Sequence, residues 1–403
     1  MTKVITDEKL IDEVLTRGVE NIFPSREELK KVLISGKRIR LYCGYDPTAK
    51  SLHLGNAISI NKLGQFQKLG HEVIFLVGDF TGMIGDPTDK SAARKKITRK
   101  EILENSKNYQ QQASKYLKFE GENPVIIKYN SEWNSKLTFD NVIDLASNFT
   151  AQQMFQREMF QERIKNEKPI YLHEFLYPLA QGYDSIAIDV DLEIGGNDQM
   201  FNMLCGRDLM KAIKNKEKFV MTMKLLADEK GTKMGKTEGN VVNLDEIPEN
   251  MFGQIMAWSD GLINPGFELC TNLAENVVAE IKEKMKNPNN NPRDLKLQLA
   301  YEITKINYGE TAAKKAQENF INTFSKKQTP KYIKAYEAHE NVLDFMVSAG
   351  LATSKSDARR KIEQGGVTIG DEKVIVGELI LNKDLHDGKV MKVGKKDFVK
   401  IKF

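Results

Sequence analysis

Apolar residues along this chain recur with two periods, and the order in which those periods alternate sets the expected architecture. Residues 39–43 form an apolar extended run, 56–69 follow a helical period, and 72–77 return to an extended pattern. That order predicts a βαβ opening. A short apolar strand is expected at 124–128, with helical patterns at 99–117, 139–149 and 151–166. A further strand at 186–192 meets Gly195 and Gly196 and leads into a helix over 202–212. Together these elements predict a doubly wound, mostly parallel α/β domain with a helical insertion.

Beyond Lys236 the strand signal fades. Residues 249–259, 272–286, 292–308 and 310–324 read as four helices separated by Pro, Asn and Gly breakers. The stretch 326–331 is polar, contains Pro330 and has no periodicity, as a linker does. The expected layout is a catalytic domain over 1–230, a basic loop with a helical domain over 231–328, a linker at 329–340, and a small α+β module at 341–403.

Composition narrows the class. With 403 residues, 40% hydrophobic, 29% charged and 11 Pro, the chain is of globular type and long enough for two or three domains. No stretch runs far enough without charge to span a bilayer, and the opening MTKVITDEKL has no apolar core after a basic start. A soluble cytoplasmic protein is expected. Cys43, Cys205 and Cys270 stand far apart with no CxxC pair, so three reduced thiols are expected and no zinc site. The net charge of +4 demands no polyanion by itself, but residues 341–403 carry 12 Lys and Arg against 9 Asp and Glu. Most of the cationic excess therefore sits in the last module.

Two clusters carry candidate chemistry. The stretch Tyr42-Cys-Gly-Tyr-Asp46-Pro-Thr48 through His53-Leu-Gly55-Asn56 leaves a strand, crosses a loop and enters a helix. Helix-start amides carry partial positive charge, Gly55 lets phosphates approach the backbone, and His53 and Asn56 can donate to phosphoryl oxygens. Taken alone, a histidine there is more often a capping or packing residue. The second cluster, Lys233-Met-Gly-Lys236-Thr237, lies in a charged, Gly-rich loop whose two lysines can close on pyrophosphate. Taken alone, such a run is usually solvated surface.

Paired in this order, the clusters resemble the HIGH and KMSKS signatures of class I aminoacyl-tRNA synthetases. The segments around Tyr42–Thr48, Gly82–Thr88, Tyr177–Asp184 and Ile194–Gln199 are similar to those of bacterial tyrosyl-tRNA synthetases. The resemblance implies a Rossmann-like catalytic domain that activates L-tyrosine with ATP and transfers it to the 3'-terminal adenosine of tRNA(Tyr). It implies that Tyr42 and Asp184 bond the phenolic hydroxyl of tyrosine, that Tyr177, Gln181 and Asp86 hold its α-amino group, and that Gln199 lies near its carboxylate. Asp46 is implied near the adenylate, Thr48, His53 and Gly55 near the ATP phosphates, and Gly195 and Asp198 near the ribose. Lys90, Arg94, Lys233, Lys236 and Thr237 are implied around pyrophosphate, with Mg²⁺ carried in on ATP and no fixed metal site. A homodimer bridged by tRNA is implied as well. Such a pocket rejects phenylalanine by leaving buried polar groups unpaired; this family is itself the known case, at about 10⁵-fold, and the figure is taken over from it.

The sequence departs from the family pattern in four places. Asn56 stands for the second His of the first signature and Gly235 for Ser in the second. Glu193 and Met200 replace the Gln and Trp of many relatives. In the last module, a helix at 342–351 precedes a second helix capped by Ser354 and bearing Lys355, Arg359, Arg360 and Lys361. A basic helix followed by Gly365-Gly366 resembles an S4 RNA-binding module, which implies salt-dependent contacts to phosphates. Two other readings stay open on the residues: a small-molecule nucleotidyltransferase sharing the phosphate cradle, and a non-catalytic RNA-binding relative permitted by Asn56 and Gly235. Tryptophan is the nearest rival substrate, but an indole offers only a donor, whereas Tyr42 and Asp184 suit a phenol.

Overall fold

The computed structural model describes residues 3–87, 97–228, 241–325, 333–370, 372–375, 379–394 and 397–403. They form two compact units, Met1–Lys314 and Lys315–Phe403. The first is built on a mixed sheet of six strands: β1 (Val19–Phe23), β2 (Arg40–Tyr45), β3 (Glu72–Val77), β4 (Ile126–Tyr129), β5 (Leu192–Gly196) and β6 (Phe219–Met223). Their order is β1-β6-β5-β2-β3-β4, with β1 antiparallel to β6 and every other neighbouring pair parallel. The chain winds outward from β2 through β3 to β4, then returns to the far side of β2 for β5 and β6. Strand order reverses between β2 and β5, where an open α/β sheet leaves a crevice outside the carboxyl ends of its strands.

Strands β1 and β6 lie outside those that periodicity predicts. All five residues of β6 are buried, four of them apolar with Thr222 the exception, so the strand shows no in–out alternation, as in sheets covered on both faces. The strand expected at 186–192 is corrected: the helix Leu172–Ala187 runs through its start, Asp189 turns the chain at φ 47, and β5 begins at Leu192. Alternating Ile186, Ile188, Val190 and Leu192 mimic a half-buried strand, yet Ile188 and Val190 instead pack against Tyr42. Pro178 and Gly182 inside that helix mask its period. The expected helices at 99–117 and 151–166 each break in two, into Arg99–Ser106 and Tyr109–Ala113, and into Ala151–Phe155 and Glu158–Lys165.

Helix Leu54–Lys68 crosses from β2 to β3, and helix Met200–Lys214 crosses from β5 to β6. The latter packs against Leu172–Ala187 at a glycine pair. A Cβ on Gly182 would lie 3.3 Å from the Gly206 backbone and 2.8 Å from Leu209 Cδ1. This close crossing places Gln181, Asp184 and Ser185 beside β5. The helices Pro248–Met256, Ile263–Cys270, Glu275–Lys286 and Pro292–Tyr308 fall in the same unit as the sheet. Cys43, Cys205 and Cys270 are all buried free thiols. Among the described residues no helix is long and apolar enough to cross a membrane.

The second unit has a five-stranded sheet in the order β7-β11-β10-β8-β9, from β7 (Ala335–Glu337), β8 (Val367–Ile369), β9 (Glu372–Lys373), β10 (Val390–Val393) and β11 (Asp397–Lys402). Helices Val342–Ser348 and Lys355–Glu363 bury Phe345, Met346, Ala358 and Ile362 in one core with Val367, Met391 and Ile401. Ser354 caps the second helix by accepting from Asp357 N at 3.2 Å.

The glycine crossing yields a stability prediction. Gly182→Val forces two methyl groups between packed helices, and overpacking of this kind costs about 1–3 kcal/mol. The thermal midpoint is expected to fall by several degrees, read by calorimetry; an unchanged midpoint would mean the helices are not held at this distance.

Candidate active site

The candidate site lies at the β2/β5 reversal. Beyond β2 the chain enters the loop 46–53, which four side-chain bonds from the helices over 99–113 hold in place. Asn105 Nδ2 donates to Pro47 O at 2.9 Å, and Tyr109 Oη to Ala49 O at 2.7 Å. Gln112 donates to Lys50 O at 3.2 Å and accepts from Leu52 N at 2.7 Å. Asp46 folds back over β3: its carboxylate accepts from Thr81 Oγ1 at 2.6 Å and Tyr177 Oη at 2.8 Å. Gly78 makes that possible, since a Cβ there would lie 1.9 Å from Asp46 Oδ1. Burial pushes the Asp46 carboxyl up to about 7, against the opposing bonds from Thr81 and Tyr177.

His53 caps helix Leu54–Lys68. Its Nδ1 accepts from Asn56 N at 3.3 Å while Asn56 Oδ1 accepts from His53 N at 3.0 Å, a reciprocal capping box. An Nδ1 that accepts carries no proton, so the neutral ring is protonated at Nε2. Gly55 occupies the first turn of that helix. Leu54 N also donates to Val242 O at 2.9 Å, and Leu244 N to Leu52 O at 2.8 Å. Thr48 donates its backbone N–H to Asp46 O at 2.8 Å.

Deeper in the crevice, Tyr42 and Asp184 come together. Asp184 is 2% exposed, and its carboxylate accepts from Trp133 Nε1 at 2.7 Å, Asn134 Nδ2 at 2.9 Å and Asn130 Nδ2 at 3.2 Å. All three donors are neutral, so burial dominates and the carboxyl rises to about 8. Sequence reasoning missed these three donors; they come from the end of β4 and the turn of helix after it, and nothing in their spacing marks them. Tyr42 is wholly buried, with Oη 3.0 Å from Ser185 Oγ. Burial first, then the Glu193 and Asp184 carboxylates, holds its phenol well above the usual range, so it keeps its proton. Gly44, next on β2, is exposed while Cys43 and Tyr45 are buried, which opens the strand surface to the crevice.

Gln181 Nε2 donates to Glu193 Oε1 at 3.0 Å. The other oxygen of Glu193 accepts from Lys218, whose ammonium also donates to Ser185 Oγ at 2.8 Å. Lys218, immediately before β6, is a second residue that sequence reasoning missed; its one signal is a cation abutting the mostly apolar run Phe219–Met223. Across the mouth, Asp86 Oδ2 accepts from Gln199 Nε2 at 2.5 Å, and Asn202 supports Gln199 at 2.9 Å. The buried guanidinium of Arg157 lies 4.0 Å from Asp86. Gly195 and Gly196 end β5 within reach of the next turn: a Cβ on Gly196 would meet Asp198 Oδ1 at 2.6 Å, and one on Gly195 would meet Met203 Sδ at 2.9 Å. Lys90, Arg94, Lys233, Lys236 and Thr237 lie outside the described residues.

In the second unit Ser354, Lys355, Arg359 and Arg360 are exposed and Lys361 is half-buried. Lys355 pairs with Asp344 at 2.6 Å, and Asp357 takes both Arg360 at 2.6 Å and Lys361 at 3.0 Å. These cations hold Asp357 down at about 2, after the bond from Thr353 N. Ion pairs at a protein surface are weak, and Asp357 is shared between two cations, so these bonds do not withhold the cations from a phosphate. Among the described residues no group of His, Cys, Asp and Glu is placed to hold a metal ion.

A family model described as tRNA synthetases class I (W and Y) matches residues 35–325, and one described as the tyrosine–tRNA ligase SYY-like C-terminal domain matches 321–401. The chain is 41% identical to the tyrosine–tRNA ligase of Thermotoga maritima over 392 residues, 96% of each chain. It is 42% identical to that of Carboxydothermus hydrogenoformans over 405 residues, 97% of each. In fold it is similar to a truncated mitochondrial tyrosyl-tRNA synthetase of Coccidioides posadasii, with TM-score 0.62 and 23% identity over 77% of this chain and 90% of that one. It is likewise similar to the Archaeoglobus fulgidus tyrosyl-tRNA synthetase complexed with L-tyrosine, with TM-score 0.60 and 20% identity over 77% of this chain and 100% of that one. With both family models matched and relatives aligned over nearly its whole length, this chain belongs to the class I tRNA synthetases, among the tyrosine–tRNA ligases.

Proposed function

We propose that this enzyme condenses L-tyrosine with ATP to tyrosyl-adenylate and pyrophosphate, then transfers the tyrosyl group to the 3'-terminal adenosine of tRNA(Tyr) in the cytoplasm. The observation that carries the tyrosine pocket is Asp184, a buried carboxylate with three neutral donors, no cation and lone-pair capacity left on Oδ2. A phenolic hydroxyl supplies the missing donor, and its oxygen accepts from Tyr42. At the other end of the amino acid, Tyr177, Gln181 and Asp86 offer oxygens to the ammonium, and Gln199 reaches the carboxylate.

The carboxylate attacks the α-phosphorus in line, and no residue forms a covalent intermediate, so rate comes from positioning and charge stabilisation. His53, Asn56, Thr48 and the amides around Gly55 receive the phosphates; Lys90, Arg94, Lys233, Lys236 and Thr237 take up the charge that grows on pyrophosphate, alongside Mg²⁺ bound to ATP. Asp46 lies by the adenylate, and Gly195 and Asp198 hold the ribose. The backbone bonds of Val242 and Leu244 to the 52–54 segment favour this pairing, because they tie the chain just after the second lysine cluster to the first cluster. Ser354, Lys355, Arg359, Arg360 and Lys361 form the RNA face. Exposed Phe139, Ile143, Leu172 and Leu176, on the touching helices Phe139–Ala146 and Leu172–Ala187, favour a homodimer.

Four outcomes check this reading. ATP–pyrophosphate exchange is expected with tyrosine alone among the amino acids, and Asp184→Asn should cut kcat/KM by about 10- to 100-fold, the worth of a hydrogen bond to a charged group; exchange with another amino acid would sink the assignment. Burial pushes the Asp46 and Asp184 carboxyls up to about 7 and about 8; Asp184 must be ionised to accept from the phenol, and Asp46 to accept from Tyr177 and so turn that oxygen to the ammonium. Tyrosine kcat/KM should therefore climb from pH 6 to 8.5, and Asp46→Asn should remove the lower inflection. Arg359→Glu should leave exchange intact and raise KM for tRNA, an effect that shrinks at high salt. Sedimentation at micromolar concentration should give twice the 45.8 kDa chain mass; a monomer would contradict the dimer.

A further inference from the structure

The fully buried ammonium of Lys218 has no role in the mechanism above, yet its three hydrogens are all committed: to Glu193, to Ser185 Oγ at 2.8 Å and to Met203 O at 3.2 Å. An ammonium only donates. One lone pair of Ser185 is therefore occupied, and the remaining partner of that hydroxyl is Tyr42 Oη at 3.0 Å. Were Tyr42 to donate to Ser185, the serine hydrogen would be buried without an acceptor, at a cost of about 1–3 kcal/mol. The favoured polarity runs from Lys218 to Ser185 to Tyr42, and Tyr42 keeps its own hydrogen to give, with the Glu193 carboxylate beside it as one acceptor and an incoming phenolic oxygen as the other.

The second arm works the same way. Glu193, pinned by Lys218, accepts from Gln181 Nε2 at 3.0 Å, which turns the amide so that its carbonyl oxygen is the atom offered onward. The space is shaped for this ammonium: a Cβ on Gly206 would lie 2.6 Å from Lys218 Nζ and 3.0 Å from Ser185 Oγ.

We propose that Lys218 is a positioning residue for amino-acid specificity, setting the direction of the hydrogen bonds at both ends of the tyrosine site. Through Ser185 it makes Tyr42 a donor to the phenolic oxygen, and through Glu193 it makes Gln181 an acceptor for the ammonium. This rests on the reading of the pocket given above. With Tyr42 donating and Asp184 accepting, the site asks for one atom that both accepts and donates, which a phenol has and a phenyl ring, a methoxyphenyl ring or an indole lacks.

The test uses Lys218→Met together with Glu193→Gln, which removes both buried charges at once and leaves neither unpaired. Ser185→Ala cuts the Tyr42 arm without touching charge. Each is expected to raise KM for tyrosine about tenfold, the worth of one hydrogen bond, with kcat held within about threefold, and to lower tyrosine-over-phenylalanine discrimination by the same factor. Adding Ser185→Ala to the double variant should change phenolic discrimination little further, because the arm is already cut. Variants that melt earlier but keep wild-type KM and discrimination would overturn the proposal, as would fully additive effects. If the double variant fails to fold, Ser185→Ala alone decides. A failure of the tyrosine reading itself appears earlier and separately, as wild-type enzyme without tyrosine-dependent exchange.

Discussion

Desolvated carboxylates at the reversal of strand order are the constraint on which the rest of this site depends. Asp184, on the helix Leu172–Ala187, and Glu193, on β5, are buried beside the central strands, and Asp46 follows the carboxyl end of β2. Of these carboxylates, Lys218 is ion-paired with Glu193. Asp184 is left with neutral partners and spare lone-pair capacity, while Asp46 accepts from Thr81 and Tyr177. In the proposed pocket the phenolic hydroxyl of tyrosine gives Asp184 its further donor, and the ammonium goes to the oxygens of Tyr177, Gln181 and Asp86. Buried carboxylates whose hydrogen bonds the substrate's own groups complete are a source of both affinity and selectivity.

The scaffold serves that constraint through close approaches. Gly78 admits Asp46, and Gly206 admits Lys218. The crossing of Leu172–Ala187 over Met200–Lys214 brings Gln181, Asp184 and Ser185 to one side of β5. Meanwhile Asn105, Tyr109 and Gln112 clamp the loop that carries Thr48 toward His53. The capping box of His53 and Asn56 unites the two readings that the sequence alone leaves open, because the same pair that closes the helix start fixes the imidazole with its proton on Nε2.

What sequence makes legible here is local. The segment from Tyr42 to Asn56 can be read because strand, loop, cap and helix follow one another in the chain, and the helix Pro292–Tyr308 has the bounds its period predicts. The helix Leu172–Ala187 is hidden by Pro178, Gly182 and the false alternation at Ile186, Ile188 and Val190. Partners joined only by folding leave no such trace. Asn130, Trp133 and Asn134 meet Asp184 across some fifty positions of chain, and Lys218, which adjoins a mostly apolar strand, looks like an ordinary surface cation until burial is known.

The most direct measurement of the central claim is the crystal structure of this enzyme with L-tyrosine bound. The account predicts the phenolic oxygen within about 3 Å of both Asp184 and Tyr42 Oη, and the ammonium against the oxygens of Tyr177, Gln181 and Asp86. A tyrosine ring lying elsewhere, or a phenol that touches neither Asp184 nor Tyr42, would contradict it.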